Sequence, residues 1–320
     1  KVVLLFALLF AFCFASNLPD SFGYVRVPGG VKMHVDCVHE VPSGAHVEDK
    51  GDAGVFVDGE RLPHCPHPAR FDKQGFASEN SENSQGGSLP ADGWQTWTVY
   101  QHPQNTTFST FNGNFSVPAA PTSWGSAREG IVYIFTGLQN DNWVPNSGLP
   151  HGAPRPFEII QPVLQYGGGS ANGGGAYWGV ASWYVTLDAG ALFSTELQVS
   201  PGDSIFGGMK QTGEYTWQID SIIPSGENST LVVTRNRLVN NPWAYCTLEV
   251  YDIPECSYLP PSNSPSHFTD MVLLDSNGPV TPSWTVLTED TLGGPSQNPC
   301  GALFKVIDPA TVDLQCQGNA

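Results

Sequence analysis

The chain has 320 residues; only 13% are charged, and Asp and Glu outnumber Lys and Arg by 30 to 13, for a formal net charge of −17. So few cations argue against nucleic acid as a partner, because its phosphates need Lys and Arg. Such a surface suits acid instead, where protonated carboxylates leave few cations to repel one another.

The chain opens on KVVLLFALLFAFCFAS: one lysine, an apolar run from Val2 to Ala15, and the small residues Cys13 and Ala15 at the −3 and −1 positions of a cleavage site. The pattern predicts a secretory signal peptide over 1–15, the run being short for a membrane span. The expected protein is secreted, with no membrane association after signal removal. N-glycosylation triplets at Asn105, Asn114 and Asn228 agree with export. Of seven cysteines, six follow the leader. In an exported chain they read as three disulfides. Sequence proximity suggests Cys37–Cys65, Cys246–Cys256 and Cys300–Cys316.

Residues 16–76 are rich in Pro, Gly and His, with weak strand signals at 31–35 and 54–57. HVDCVHE and HCPH carry His and Cys at spacings that zinc uses. An oxidising compartment sends such cysteines to disulfides instead, so no metal and no cofactor is expected. Residues 77–92 are small and polar and read as a flexible linker. A less acidic module joined by a cleavable linker to a more acidic body looks like a propeptide; an accessory domain that stays attached is the alternative.

Strand signals then repeat at 94–101, 107–117, 131–138, 157–166, 176–187, 195–199, 204–209, 215–223, 230–234, 243–251, 269–274 and 283–287, punctuated by Gly, Pro, Asn and Asp. No window has helical periodicity. Many short strands predict an all-β antiparallel sandwich or barrel. The body is placed at 93–275, and 276–320 is a C-terminal extension holding Cys300 and Cys316. Pro162 lacks a ladder N–H and predicts an edge or a bulge. The Gly-rich run QYGGGSANGGGAYWG reads as a hairpin loop.

Side chains alternate along a strand. In 243–251 one face is Ala244, Cys246, Leu248 and Val250; the other is Trp243, Tyr245, Thr247, Glu249 and Tyr251. Rings around one acid resemble a groove wall, where aromatic area binds and a few polar groups orient a ligand. Strand 157–166 puts Gln161 and Gln165 on one face. Strand 176–187 puts Trp178, Ser182 and Tyr184 on one face and Tyr177, Ala181 and Trp183 on the other. On alternation alone, an idle surface carboxylate is a better reading of Glu249 than a functional one.

These segments together resemble the glutamic peptidases, or eqolisins. VLQYG matches that family's catalytic Gln segment, with Gln165 in the Gln position; Gln161, in IIQPV, is second choice. AYCTLE matches the catalytic Glu strand, with Glu249 in the Glu position. YWGVASWYV, SPGDSIFG, FNGNFSVPAAP and IFTGLQ resemble further family segments in the same order, over about 93–275. Phe135, Gln139 and Ser182 stand where the family has Trp and two acids. The resemblance implies a concanavalin A-like antiparallel double-sheet β-sandwich, an N-terminal propeptide, and secreted acid endopeptidase activity on a polypeptide substrate. It also implies a substrate groove lined by Phe135, Gln139, Gln161, Trp178, Ser182, Tyr184, Trp243 and Tyr245. Glu249 would act as general base and then acid, and the Gln165 amide would stabilise the oxyanion. The chain is expected to act as a monomer. A non-catalytic extracellular binder of polypeptide or glycan on the same sheet is the alternative. A glycoside hydrolase would require a second carboxylate across the groove.

Overall fold

The computed structural model describes residues 22–69, 93–124, 130–142, 157–169, 173–237, 239–288 and 298–316. The expected signal peptide and linker, at 1–15 and 77–92, lie outside them. Among the described residues there is no α-helix, only three single-turn 3-10 segments.

The strands form two large sheets and one hairpin. The first sheet has nine strands. In spatial order they are Thr285–Thr288, Gly93–Gln101, Trp243–Tyr251, Ile131–Gln139, Glu158–Gly169, Gly173–Thr186, Gly190–Ser194 and Val38–Val41, with Leu197–Val199 also paired to Gly173–Thr186. The second has eleven, its centre made by Ser266–Asp275, Thr110–Ser116, Ser204–Gly213, Thr216–Ile222 and Asn228–Arg235. The expected all-β double-sheet architecture holds. Period-2 patterning dictates it: Val132, Ile134, Leu138, Ile160, Leu164, Leu248 and Val250 face one way, and meet Phe111, Phe115, Ile205, Trp217, Ile219 and Leu231 of the second sheet in one apolar core. At roughly 25 cal/mol per Å² of apolar area buried, this layer is the main stabilising contribution.

Three features depart from the expected pattern. Residues 22–69 are woven into the body: Val38–Val41 pairs in parallel with Gly190–Ser194 of the first sheet, and His46–Asp49 pairs in parallel with Asn228–Arg235 of the second. Residues beyond 275 do the same at the other edges, through Thr285–Thr288, Leu303–Asp308 and Thr311–Gln315. Pro162 lies neither at an edge nor at a bulge. Its strand is central, and the ladder to Ile131–Gln139 skips residues 161 and 162, so no N–H is missed there. The register shift falls later, between Tyr166 and Gly167.

The Cys37–Cys65 disulfide forms as expected. The other two pairings do not: Cys256 bonds to Cys300, while Cys246 and Cys316 are free and buried. Cys246 points into the inter-sheet core, its Sγ 3.6 Å from Met271 Sδ, whereas Cys256 lies in a 3-10 turn beyond the strand end. Neighbours in sequence therefore occupy different layers. Burial pushes the Cys246 and Cys316 thiols up to about 12. No helix among the described residues is long and apolar enough to cross a membrane.

Candidate functional site

The outer face of the first sheet, turned away from the second, carries the site. Glu249 pairs with Tyr133 on the adjacent strand, Tyr133 pairs with Gln165 on the next, and Gln165 pairs with Gly179 on the one after. Paired residues share a face. Glu249 and Gln165 therefore stand in one row with Tyr133 between them, their Cα atoms about 10 Å apart across two inter-strand spacings. The next row holds Thr247, Phe135 and Val163, and Tyr245 stands one row further; the outward-facing ring of Phe135 lies 5.8 Å from Trp94, which is 5.1 Å from Tyr245.

This face is covered. A hairpin of Tyr24–Val27 and Val31–His34 lays Val25, Val27, Val31 and Met33 into a second apolar cluster with Trp97, Tyr133, Phe135, Val163, Ala181 and Trp183. Its turn, Pro28-Gly29-Gly30, sits on the acid. The Gly29 amide donates to Glu249 Oε2 and the Gly30 amide to Oε1, both at 2.8 Å. Both glycines have positive φ, +99° and +83°. At Gly29 an added Cβ would also lie 2.9 Å from Ile159 Cγ2. Only glycine brings two successive N–H groups onto one carboxylate here. The Tyr251 hydroxyl donates to Glu249 Oε1 from the same strand face. The Arg26 guanidinium lies 4.3 Å above the Tyr251 ring.

Glu249 is fully buried. Burial pushes its carboxyl up to about 7, against the opposing pull of the Tyr251 hydroxyl, the two glycine amides and the Arg26 charge. Around it lie buried polar atoms with no protein partner among the described residues: both amide atoms of Gln161, Gln165 Oε1, the Tyr245 hydroxyl and Thr247 Oγ1. Each such atom costs about 1–3 kcal/mol when left unmade. Buried polar atoms of this kind call for a partner, whether water, an ion, a ligand or another segment of the chain. Gln165 Nε2 donates to Gly167 O at 3.2 Å, which leaves the carbonyl oxygen unengaged.

The other expected residues divide. Gln139 is buried, donating from Nε2 to Asp141 O at 2.8 Å, and Trp243 pairs beside it, half-buried. Trp178, Ser182 and Tyr184 are not on the groove face. They point between the sheets: Ser182 Oγ donates to Ser229 O at 2.6 Å and Tyr184 OH to Asp49 Oδ2 at 2.8 Å. Both faces of that strand are aromatic, so alternation separates them without saying which one is inside. Ala181 and Trp183 take the groove side. Asn105 and Asn228 are exposed, while the Asn114 amide donates to Asp270 at 3.0 Å.

Several residues that the sequence reading passed over belong here. Tyr133 fills the row between Gln165 and Glu249; its hydroxyl donates to Arg26 O at 3.4 Å. Burial, then the charges of Glu249 and Glu196, hold its phenol well above the ordinary value. Glu196 reaches over Gly179, whose missing Cβ would lie 2.8 Å from Glu196 Cγ and closer still to its carboxylate. A second carboxylate thus arrives beside Gln165 from a connecting segment. The one sequence signal for the cover was Pro-Gly-Gly between two short alternating runs, which reads as a hairpin turn. Metal-ligating side chains group elsewhere, at His34, Asp36 and His67.

No family model matches the chain, and no curated protein does. Among solved structures, scytalido-glutamic peptidase with a transition state analog inhibitor aligns at 14% identity and a TM-score of 0.48, covering 70% of this chain and 98% of that one. SCP-B, a member of the Eqolisin family of peptidases in complex with the tripeptide Ala-Ile-His, aligns at 14% identity and a TM-score of 0.46 over the same shares. The beta-porphyranase BpGH16B from the human gut bacterium Bacteroides plebeius aligns at 10% identity and a TM-score of 0.26, covering 59% and 65%. Identities and TM-scores this low assign no function; what the site does rests on its own side chains.

Proposed function

We propose that the chain is the secreted precursor of an acid endopeptidase whose groove is covered by its own N-terminal hairpin. The observation that carries this reading is the contact of Gly29 and Gly30 with Glu249: in this reading the general base is occupied by peptide backbone. The outer face therefore accommodates a polypeptide segment, as a peptidase groove must.

With the hairpin removed, Glu249 loses the burial that holds its proton and returns toward an ordinary carboxylate value of about 4.3. In mild acid it is then ionised and takes a proton from the attacking water, later returning one to the leaving amine. The Gln165 amide, in the same row, donates to the oxyanion; one such donor lowers the barrier by about 2.7–4 kcal/mol. Tyr133, a neutral phenol between them, is a second donor within the row. The hairpin thus suppresses activity twice, by occupying the groove and by keeping the base protonated at the pH where it should work.

The test is proteolysis of a denatured protein across acid pH after limited cleavage of the precursor, with Glu249→Gln beside the unaltered chain. Loss of activity in the variant supports the reading; equal activity removes Glu249 from the mechanism. A non-catalytic binding role is favoured by one observation: the cover is tied in by two edge strands and the Cys37–Cys65 disulfide. A protein that remains intact in acid, cleaves nothing, and retains a peptide or glycan ligand would take that reading.

A further inference from the structure

The second strand of the covering hairpin ends at His34, and the 3-10 turn Val35–Cys37 follows. The Cys37–Cys65 disulfide brings the segment after Cys65 back to this point. There the His34 and His67 rings stack, with centroids 3.6 Å apart and planes at 23°. Asp36 Oδ2 lies 3.4 Å from His34 Nδ1 and 3.6 Å from His67 Nε2. One donor atom from each of the three residues lies within 4.8 Å of the other two. Tyr24 braces the pair: its ring meets His34 edge-on at 5.5 Å and its hydroxyl donates to Pro68 O at 3.0 Å.

We propose that His34, Asp36 and His67 bind a divalent metal ion of the zinc class, which fastens the groove-covering hairpin to the segment beyond Cys65. Two imidazoles and a carboxylate suit zinc or copper rather than calcium or magnesium, which take oxygen ligands. A tetrahedral zinc with bonds of about 2.0–2.1 Å sets its donors about 3.4 Å apart, close to both carboxylate–imidazole separations here. Rotation of the two rings out of their stack, with His34 Nδ1 exchanging the Asp36 amide it accepts from at 3.3 Å for the ion, would complete the set. Asp36 is 62% exposed, which leaves the fourth position to water. The cysteines of HVDCVHE and HCPH are spent on the disulfide, and it is that bond which gathers the histidines around them. The ion would secure the hairpin whose turn carries Gly29 and Gly30, whatever Glu249 does.

The experiment is calorimetric titration of the intact, chelator-treated chain with zinc chloride at neutral pH, where imidazole is free to ligate, together with thermal denaturation. Binding of one equivalent is expected, with a melting temperature that rises with zinc concentration. Asp36→Asn and His67→Ala, both at accessible positions, should each weaken binding by more than the roughly 10- to 100-fold that loss of a supporting partner costs. His64→Ala should bind as the unaltered chain does. Absence of zinc-dependent heat and of any melting shift overturns the proposal, as does equal affinity in both ligand variants. Zinc that binds without slowing protease cutting within 22–34 overturns the fastening role.

Discussion

Glu249 and Gly30 are 219 positions apart in the chain, and the Gly30 amide lies 2.8 Å from the Glu249 carboxylate. Together with Gly29 it makes a two-amide cradle that a carboxylate at the centre of a sheet face does not otherwise find. The contact ties the N-terminal module to the central strand of the body through one side chain. Perturbing either partner should therefore be read at the other.

The first consequence is a pH dependence. Burial under the hairpin raises the Glu249 carboxyl from 4.5 to about 7. A raised value means that the covered state binds this proton more tightly than the open one. Its contribution is fully present below about 4.5 and is lost as pH rises through about 7. At this residue acid tightens the cover, so opening in acid requires a chain cut and not protonation alone. The melting temperature of the intact chain should fall between about pH 5 and 8, and by less in Glu249→Gln. Parallel curves for the two proteins would disprove the linkage.

Gly29→Ala should loosen the cover. The added Cβ meets Ile159 Cγ2 at 2.9 Å, on a backbone of φ +99°. Such strain costs about 1–3 kcal/mol. Limited proteolysis should cut the variant's hairpin faster, and acid processing should run ahead of that of the unaltered chain. Equal rates would mean that the turn does not set the strength of closure.

The two glutamines should separate kinetically. Gln165 shares the Glu249 row, whereas Gln161 stands one row-pair away, its Nε2 3.6 Å from the Cβ position of Gly29. Gln165→Ala should lower kcat by about 100- to 1,000-fold, as loss of an oxyanion donor does. Gln161→Ala should act mainly on KM. The reverse pattern would exchange their roles.

Glu196 should be visible in the pH profile. Its charge raises the Tyr133 and Tyr177 phenols, after burial in each case. Glu196→Gln removes that charge next to the Gln165 row and should shift the acid limb of the peptidase profile without abolishing activity. An unmoved profile would leave Glu196 with a packing role over Gly179.

Peptide mapping of the non-reduced protein should recover Cys256 linked to Cys300, with Cys246 and Cys316 alkylated only after unfolding. Cys300→Ser should lower stability by about 2–5 kcal/mol. A Cys246–Cys256 peptide would contradict the layer assignment of these residues.

The strands of the body were legible in the sequence, because alternation and Gly/Pro punctuation are local signals. The row joining Gln165 to Glu249 was not, since register between strands depends on pairing across Ile131–Gln139. The resemblance implies Trp178, Ser182 and Tyr184 in the groove, and alternation does not correct it, because rings on both faces of that strand cancel the usual inside–outside contrast; Ser182 is satisfied by Ser229 in the core and is unavailable to a ligand. The disulfides follow layers and not sequence distance. The role of the N-terminal module rests on contacts more than 200 residues long, for which residues 22–69 carry only the Pro-Gly-Gly turn as a local sign.

The parallel pairings of Val38–Val41 and His46–Asp49 give the same module another task. Each shields the lateral border of one sheet, at Gly190–Ser194 and Asn228–Arg235. Stripping away the whole of 22–69 would leave both borders with open backbone donors and acceptors, a template for stacking one molecule on the next. A plug and two bumpers are thus carried on a single segment. Clipping that frees the plug while sparing the bumpers yields an open, dispersed protein; wholesale excision yields one prone to clump.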